Sequence, residues 1–210
     1  MTATTFDVKK ALERYRARRG QFQLLEVPST HYLMIDGAGD PNTSADYDAA
    51  LQALYPLAYR LKFFSRRELG QDYVVPPLEG LWWAQDMDAF TTARDRTRWH
   101  WRLLMMTPPW LTAEHVEEHF EDADDVCWES FDEGLCLQTL HIGTYDAEGP
   151  LLARMHDEEI PARGLALHGL HHEIYLGDPR RAAPEKLRTI LRQPVVRDAT
   201  TGDGPERISP

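Results

Sequence analysis

The chain of 210 residues sets 34 Asp and Glu against 23 Lys and Arg, a formal net charge of -11 with a pI near 5.2. That balance argues against nucleic acid as a partner, because duplex binding depends on Lys and Arg displacing counterions. The length suffices for a genuine core, and 42% hydrophobic with 27% charged residues excludes a disordered chain. Cys127 and Cys136 stand nine residues apart with no CxxC pair, so neither a disulfide framework nor a zinc ribbon is suggested. Met1 to Gly20 is polar and basic rather than a signal segment, and no apolar run reaches bilayer length. A cytoplasmic protein with no membrane partner is expected.

Along the chain, Val8, Leu12 and Tyr15 fall at helical spacing and predict a short amphipathic arm over residues 1–20, with the helix at 7–19. PSTHYLMIDGAGDPN then reads as a strand running into a Gly-rich turn. DGAGDP lacks both the P-loop Lys and the third Gly of a dinucleotide fingerprint, so nucleotide binding is set aside. Ser44 offers an N-cap to a long helix carrying Ala50, Leu54, Leu57 and Leu61, with Pro56 as a possible kink. PLEGLWW and WHWRLLMM read as strands. Alternation puts Glu79, Leu81 and Trp83 on one face, Gly80 and Trp82 on the other, and Trp99, Trp101, Leu103 and Met105 together.

An acidic linker helix capped by Thr112 is predicted within 111–126, with Val116 and Phe120 facing inward. From Leu135 the order repeats: CLQTLHIG as strand, LLARMHDEEIPARG as helix, then HHEIYL and KLRTILRQPVV as strands. The fold class is therefore α+β, two β-α-β-β modules in pseudo-twofold arrangement, with antiparallel sheets around a central pocket. Module one takes 21–110 and module two 127–197 of a single domain spanning 21–197, and a flexible tail follows at 198–210. An acid lies on the post-helix strand of each module, Glu79 in the first and Glu173 in the second.

Glu173 shares a strand face with His171 and Tyr175. A carboxylate there is costly unless paired or used, which leaves three readings: a satisfied ion pair, a general base, or the countercharge of a cationic ligand. His168, His171, His172 and Glu173 form neither HExxH nor HxxEH, so neither metal nor cofactor is expected. No GxSxG elbow and no Cys in a catalytic setting point to covalent catalysis. Acid-base work by Glu173 with Tyr145 or Tyr175 as hydrogen-bond donor remains open. Trp83 and Trp101, with Trp128 in the same central cluster of tryptophans, are candidates for an aromatic wall. Glu79 and His171 complete the candidate ligand contacts.

HYLMIDGAGDPN, PPLEGLWW, HIGTYD and HHEIYLGDPR followed by KLRTILRQPV resemble the stand-alone GyrI-like small-molecule-binding proteins over residues 20–197. The resemblance implies SHS2-type modules around a pocket. It also implies a ligand-binding role that in some members is hydrolysis of cyclopropanoid DNA-alkylating compounds, and in others drug sensing or gyrase modulation. With no helix-turn-helix segment in the sequence, a regulator role is weakened. The family's pocket glutamate corresponds to Glu173. Its GPY-like turn corresponds to Gly143-Thr144-Tyr145, with Thr in place of the usual Pro. The expected ligand is a planar, electrophilic or cationic small molecule. The ranking is hydrolase first, non-catalytic binder second and gyrase-modulating partner, acting through the acidic surface, third.

Overall fold

A computed structural model describes residues 5–84, 95–120, 123, 125–178 and 181–198. The tail predicted beyond 198 and part of the linker after Phe120 lie outside the described residues. Nine strands form one curled antiparallel sheet. They are β1 (Gln23–Val27), β2 (Thr30–Ala38), β3 (Glu79–Trp83), β4 (His100–Met106), β5 (Cys127–Phe131), β6 (Gly134–Ile142), β7 (Leu165–Leu167), β8 (His171–Tyr175) and β9 (Arg188–Arg197). Among the described residues four α-helices accompany them: α1 (Val8–Ala11), α2 (Ala45–Glu68), α3 (Ala113–Glu117) and α4 (Gly149–Arg154). The sheet order is β1-β6-β9-β8-β3-β4-β2-β5, with β7 paired to β9.

That order is a palindrome of the two halves. β2-α2-β3-β4 and β6-α4-β8-β9 meet where β3 pairs with β8, Gly80 opposite Glu173 and Leu81 opposite His172. The registers also fix which residues correspond. Gly39 and Gly143 close the first strand of each half with positive φ. Counting back from them matches Ile35 with Thr139, whose partners across the ladder are Leu103 and Leu191. These two in turn pair with Gly80 and Glu173. Glu173 therefore corresponds to Gly80, Tyr175 to Trp82, and Glu79 to His172. This corrects the matching of Glu79 with Glu173: the acids sit one register step apart, and a single step turns a side chain to the opposite face of a sheet.

One face of the sheet carries α2, α3 and α4. In α2 the Ser44 hydroxyl accepts from the Tyr47 amide, Asp46 and Asp48 occupy the first turn, and Arg66 and Arg67 the last, each sign matching the helix dipole. Its stripe of Ala50, Leu54, Leu57 and Leu61 is buried on Leu33, Leu103 and Met105, each fully buried Leu contributing roughly 1.5–3 kcal/mol. The second helix departs from the single helix predicted over 151–164. It begins two residues earlier, at Gly149, ends as α-helix at Arg154, opens into a π turn over Met155–Glu159 and tightens to 3-10 over Pro161–Arg163. Pro161 has no N–H to donate back and its ring crowds the preceding turn. The helix widens instead, and the Ile160 amide reaches the Met155 carbonyl at 3.0 Å. The predicted linker helix is also short, a five-residue α3 capped by Thr112 and His115, with Val116 buried and Phe120 packed against the core.

The opposite face is covered by the N-terminal arm. The predicted helix over 7–19 is only one α turn and one 3-10 turn, broken at Leu12, which adopts an extended conformation. The break lets Val8 and Tyr15 both reach the sheet, where they pack with Tyr32, Leu81, Ile174 and Ile190. Beneath the arm lies a buried charge cluster. Tyr15 donates to Glu79 Oε1 at 2.5 Å, and Glu79 Oε2 lies 3.1 Å from His172 Nε2. His172 Nδ1 is 2.8 Å from Glu133 Oε1, and Arg192 donates to Glu133 Oε2 at 2.7 Å. Two carboxylates are thus balanced by a guanidinium and an imidazole, as buried charges require. Both cysteines are free thiols.

Candidate functional site

Between α2 and α4, over the β3–β8 seam, lies a cavity of about 1710 Å³. The α2 wall is a second stripe, Tyr47, Leu51, Tyr55 and Tyr59, at steps of four residues, so it follows from the helical period that these side chains stack on one face. The floor is Trp82 of β3 with His171, Glu173 and Tyr175 of β8. The far wall is Glu148, Leu152 and His156. Trp99 and Tyr145 stand at the rim, where an ion pair between Arg96 and Asp146 ties their two turns together. A second cavity, about 510 Å³ between β2 and the start of α2, is lined by Asp36, Asp46, Ala50 and Cys127, with no aromatic side chain.

The Glu173 carboxylate is fixed by a short relay. The Trp82 indole N–H donates to the Tyr175 hydroxyl at 3.0 Å, and that hydroxyl donates to Glu173 Oε2 at 2.9 Å. Oε1 faces His171, whose Nε2 lies 3.5 Å away. Gly80, directly opposite Glu173, is what makes room for the relay. A Cβ there would sit 2.8 Å from the Trp82 indole nitrogen and 3.2 Å from the Tyr175 hydroxyl. Burial, reinforced by the Glu173 charge, holds the Tyr175 phenol well above its ordinary pKa, so it stays a donor. Tyr145 meets Tyr175 edge-on, ring centroids 5.5 Å apart. Burial and then Glu173 push its phenol up to about 12, so at neutral pH it too is a protonated donor.

Of the residues singled out in the sequence, Glu173, Tyr145, His171, Tyr175 and Trp83 line this cavity. Trp83 does so only at its edge, because alternation turns it toward the back of the sheet, where it stacks on His100. Trp82 holds the floor in its stead. Trp101 is fully buried and lies outside the lining. It pairs across the ladder with Gly37, and its ring fills the space that a Cβ on Gly37 would take, 2.1 Å from it. Trp128 sits three strands from the floor on edge strand β5, stacked on His31 and donating to Thr107. Glu79 belongs to the charge cluster on the opposite face. The sequence reading missed the tyrosine stripe of α2, although its four-residue spacing was visible, and it missed Glu148 and His156, whose placement follows from the unforeseen start and widening of α4. Among the described residues, no cluster of three or more His, Cys, Asp or Glu is arranged to hold a metal ion.

A duplicated α+β sheet with a carboxylate at the floor of an aromatic cavity, on the seam between its halves, defines a small-molecule-binding module. The family model of the GyrI-like small molecule binding domain matches residues 20–196, and the chain belongs to that family. Three solved structures from Listeria innocua are similar to it. An uncharacterized conserved protein is 36% identical over 91% of this chain and 100% of its own, with a TM-score of 0.83. Two hydrolases are 34% and 36% identical over 91% and 92% of this chain and 100% of their own, with TM-scores of 0.77 and 0.80. A search of curated proteins gave no match. Among the described residues no helix is long and apolar enough to cross a membrane.

Proposed function

We propose that this protein is a hydrolase that opens the strained ring of flat, electrophilic compounds of the cyclopropanoid type, with Glu173 as general base. The observation that carries the reading is the held carboxylate. Tyr175 occupies one oxygen and leaves Oε1 turned to the cavity beside His171, among rings suited to a planar molecule. Two relatives described as hydrolases, over a third identical to this chain, support it. In the proposed step a water oxygen bonds to the less hindered cyclopropane carbon and its proton passes to Glu173 Oε1. The ring C–C bond breaks, and its electron pair flows through the conjugated system onto the carbonyl oxygen. That oxygen accepts a hydrogen bond from the Tyr145 hydroxyl as it becomes a phenolate, and it then takes a proton from solvent while Glu173 releases to solvent the proton it removed from the water. The product is the substrate plus one water, no longer an alkylating agent.

A second reading is favoured by the acids that line the cavity with the aromatic rings, Glu173 and Glu148 among them: binding without turnover of a planar cation, held by ring faces and countercharge. Mass-spectrometric product detection with catalytic enzyme and a cyclopropyl-dienone substrate separates the two. Hydrolysis predicts many turnovers to a product one water heavier, falling at least about 100-fold in Glu173→Gln. A binder protects only stoichiometrically, and unchanged substrate after long incubation would overturn the hydrolase reading.

A further inference from the structure

We propose that His156, His171 and Gln193 form a polar subsite at the α4 end of the cavity, holding an uncharged hydrogen-bonding group of the ligand, a hydroxyl or carboxamide, beside the Glu173 carboxylate. The inference rests on the cavity being the ligand site and adds to it what one end of that ligand must carry. His156 lies on the π turn after α4, His171 opens β8, and Gln193 lies on β9. All three line the cavity. The two imidazoles meet nearly perpendicular, centroids 6.2 Å apart, a separation that one oxygen or nitrogen can bridge with hydrogen bonds of about 2.9 Å to each ring.

Three ring nitrogens here, Nε2 of His156 and both of His171, are buried without a hydrogen-bond partner among the described residues. The contact of His171 Nε2 with Glu173 at 3.5 Å is the limit of its pairing. Buried polar atoms left unpaired are costly, and a purely apolar ligand would leave all three so. The third group fixes the sense of the bonding. The Gln193 Nε2 spends both hydrogens on carbonyls, His168 at 2.8 Å and Pro194 at 3.2 Å, which leaves Oε1, an acceptor, as the end that faces the His156 ring. The subsite thus pairs an acceptor with imidazoles that either donate or accept, and a group that does both answers it. Burial, with His171 nearby, lowers His156 to about 4, so it is neutral at physiological pH, and the Glu173 carboxylate beside His171 disfavours an anion.

The experiment uses the full chain and isothermal titration calorimetry with N-methylquinolinium, a flat aromatic cation, and its monohydroxylated ring isomers. At least one isomer is expected to bind wild type about tenfold tighter than the parent. That gain, read as the ratio of isomer to parent affinity within each protein, should vanish in both His156→Leu and His171→Phe, with a melting curve and far-UV circular dichroism reporting that each variant is folded. If the parent binds and no hydroxylated isomer binds tighter, or if the gain survives in both variants, the subsite is refuted and the cavity reading stands. If the parent itself fails to bind, the fault lies with the cavity as a site for flat aromatic cations, and the subsite falls with it.

Discussion

Gly80 shows how much of the site depends on a side chain that is not there. Its hydrogen faces the space in which Trp82 and Tyr175 meet, and any Cβ would press on the relay that orients Glu173. Gly80→Ala is therefore expected to reduce kcat, or ligand affinity if the protein only binds, by about tenfold or more while the thermal midpoint moves little; steady-state kinetics or calorimetry beside a melting curve would show it. Unchanged activity would mean that the relay does not position the carboxylate. The face assignments in PLEGLWW and HHEIYL were legible from alternation alone, and they correctly grouped Glu173 with His171 and Tyr175. Which face held the ligand was not legible, because it depends on where two distant helices lie. Trp83 therefore stands in the sequence reading where Trp82 holds the floor, and Trp101, although on the same face as Trp82, is buried in the core while Trp99 reaches the rim. Gly37 was likewise legible as a glycine but not as the socket of Trp101, a contact that exists only once β2 and β4 pair.

At the scale of elements, the arm, β3, β8, β9 and the turn before β6 are joined by the buried cluster around His172. Burial alone would drive His172 down, but the Glu133 and Glu79 charges overcome it and hold the imidazole up at about 8. The same cluster, against the cost of burial, draws Glu133 down to about 2. A raised histidine pKa means the folded state holds the proton more tightly than the unfolded chain. Its stabilisation is complete below about pH 6.5 and is lost as pH rises through about 8, a loss of roughly 2 kcal/mol. The thermal midpoint is expected to fall between pH 6.5 and 8.5 in wild type and to be flatter, from a lower starting value, in His172→Gln. A wild-type midpoint that does not change over that interval would contradict it. None of this cluster could be read from sequence. Glu79, Glu133, His172 and Arg192 are scattered over more than a hundred positions, and only sheet register brings them together.

For the whole molecule, the cavity floor is the seam where the two halves meet in a β3–β8 ladder of four residue pairs. A ligand resting on Trp82 and on Glu173 with Tyr175 grips both sides of that seam. Hydrogen–deuterium exchange of the amides in 79–83 and 171–175 is expected to slow on binding more than exchange in β1 or β5 at the sheet edges, since ligand-linked openings are suppressed in proportion to occupancy. Uniform slowing would place the ligand elsewhere. The repeated β-α-β-β order was legible because each half writes out its strands and helix in the same sequence of patterns. The short strands β1, β5 and β7 were not, since they pair at edges and carry no buried run of their own.

Carrying both halves on one chain has a chemical consequence at the pseudo-dyad, which passes through the Gly80–Glu173 pair. Two identical copies of the second half, joined the same way, would set Glu173 against its own duplicate, and two facing carboxylates would repel or share a proton. Covalent duplication breaks that symmetry: one half contributes the acid and the other contributes only the clearance for it.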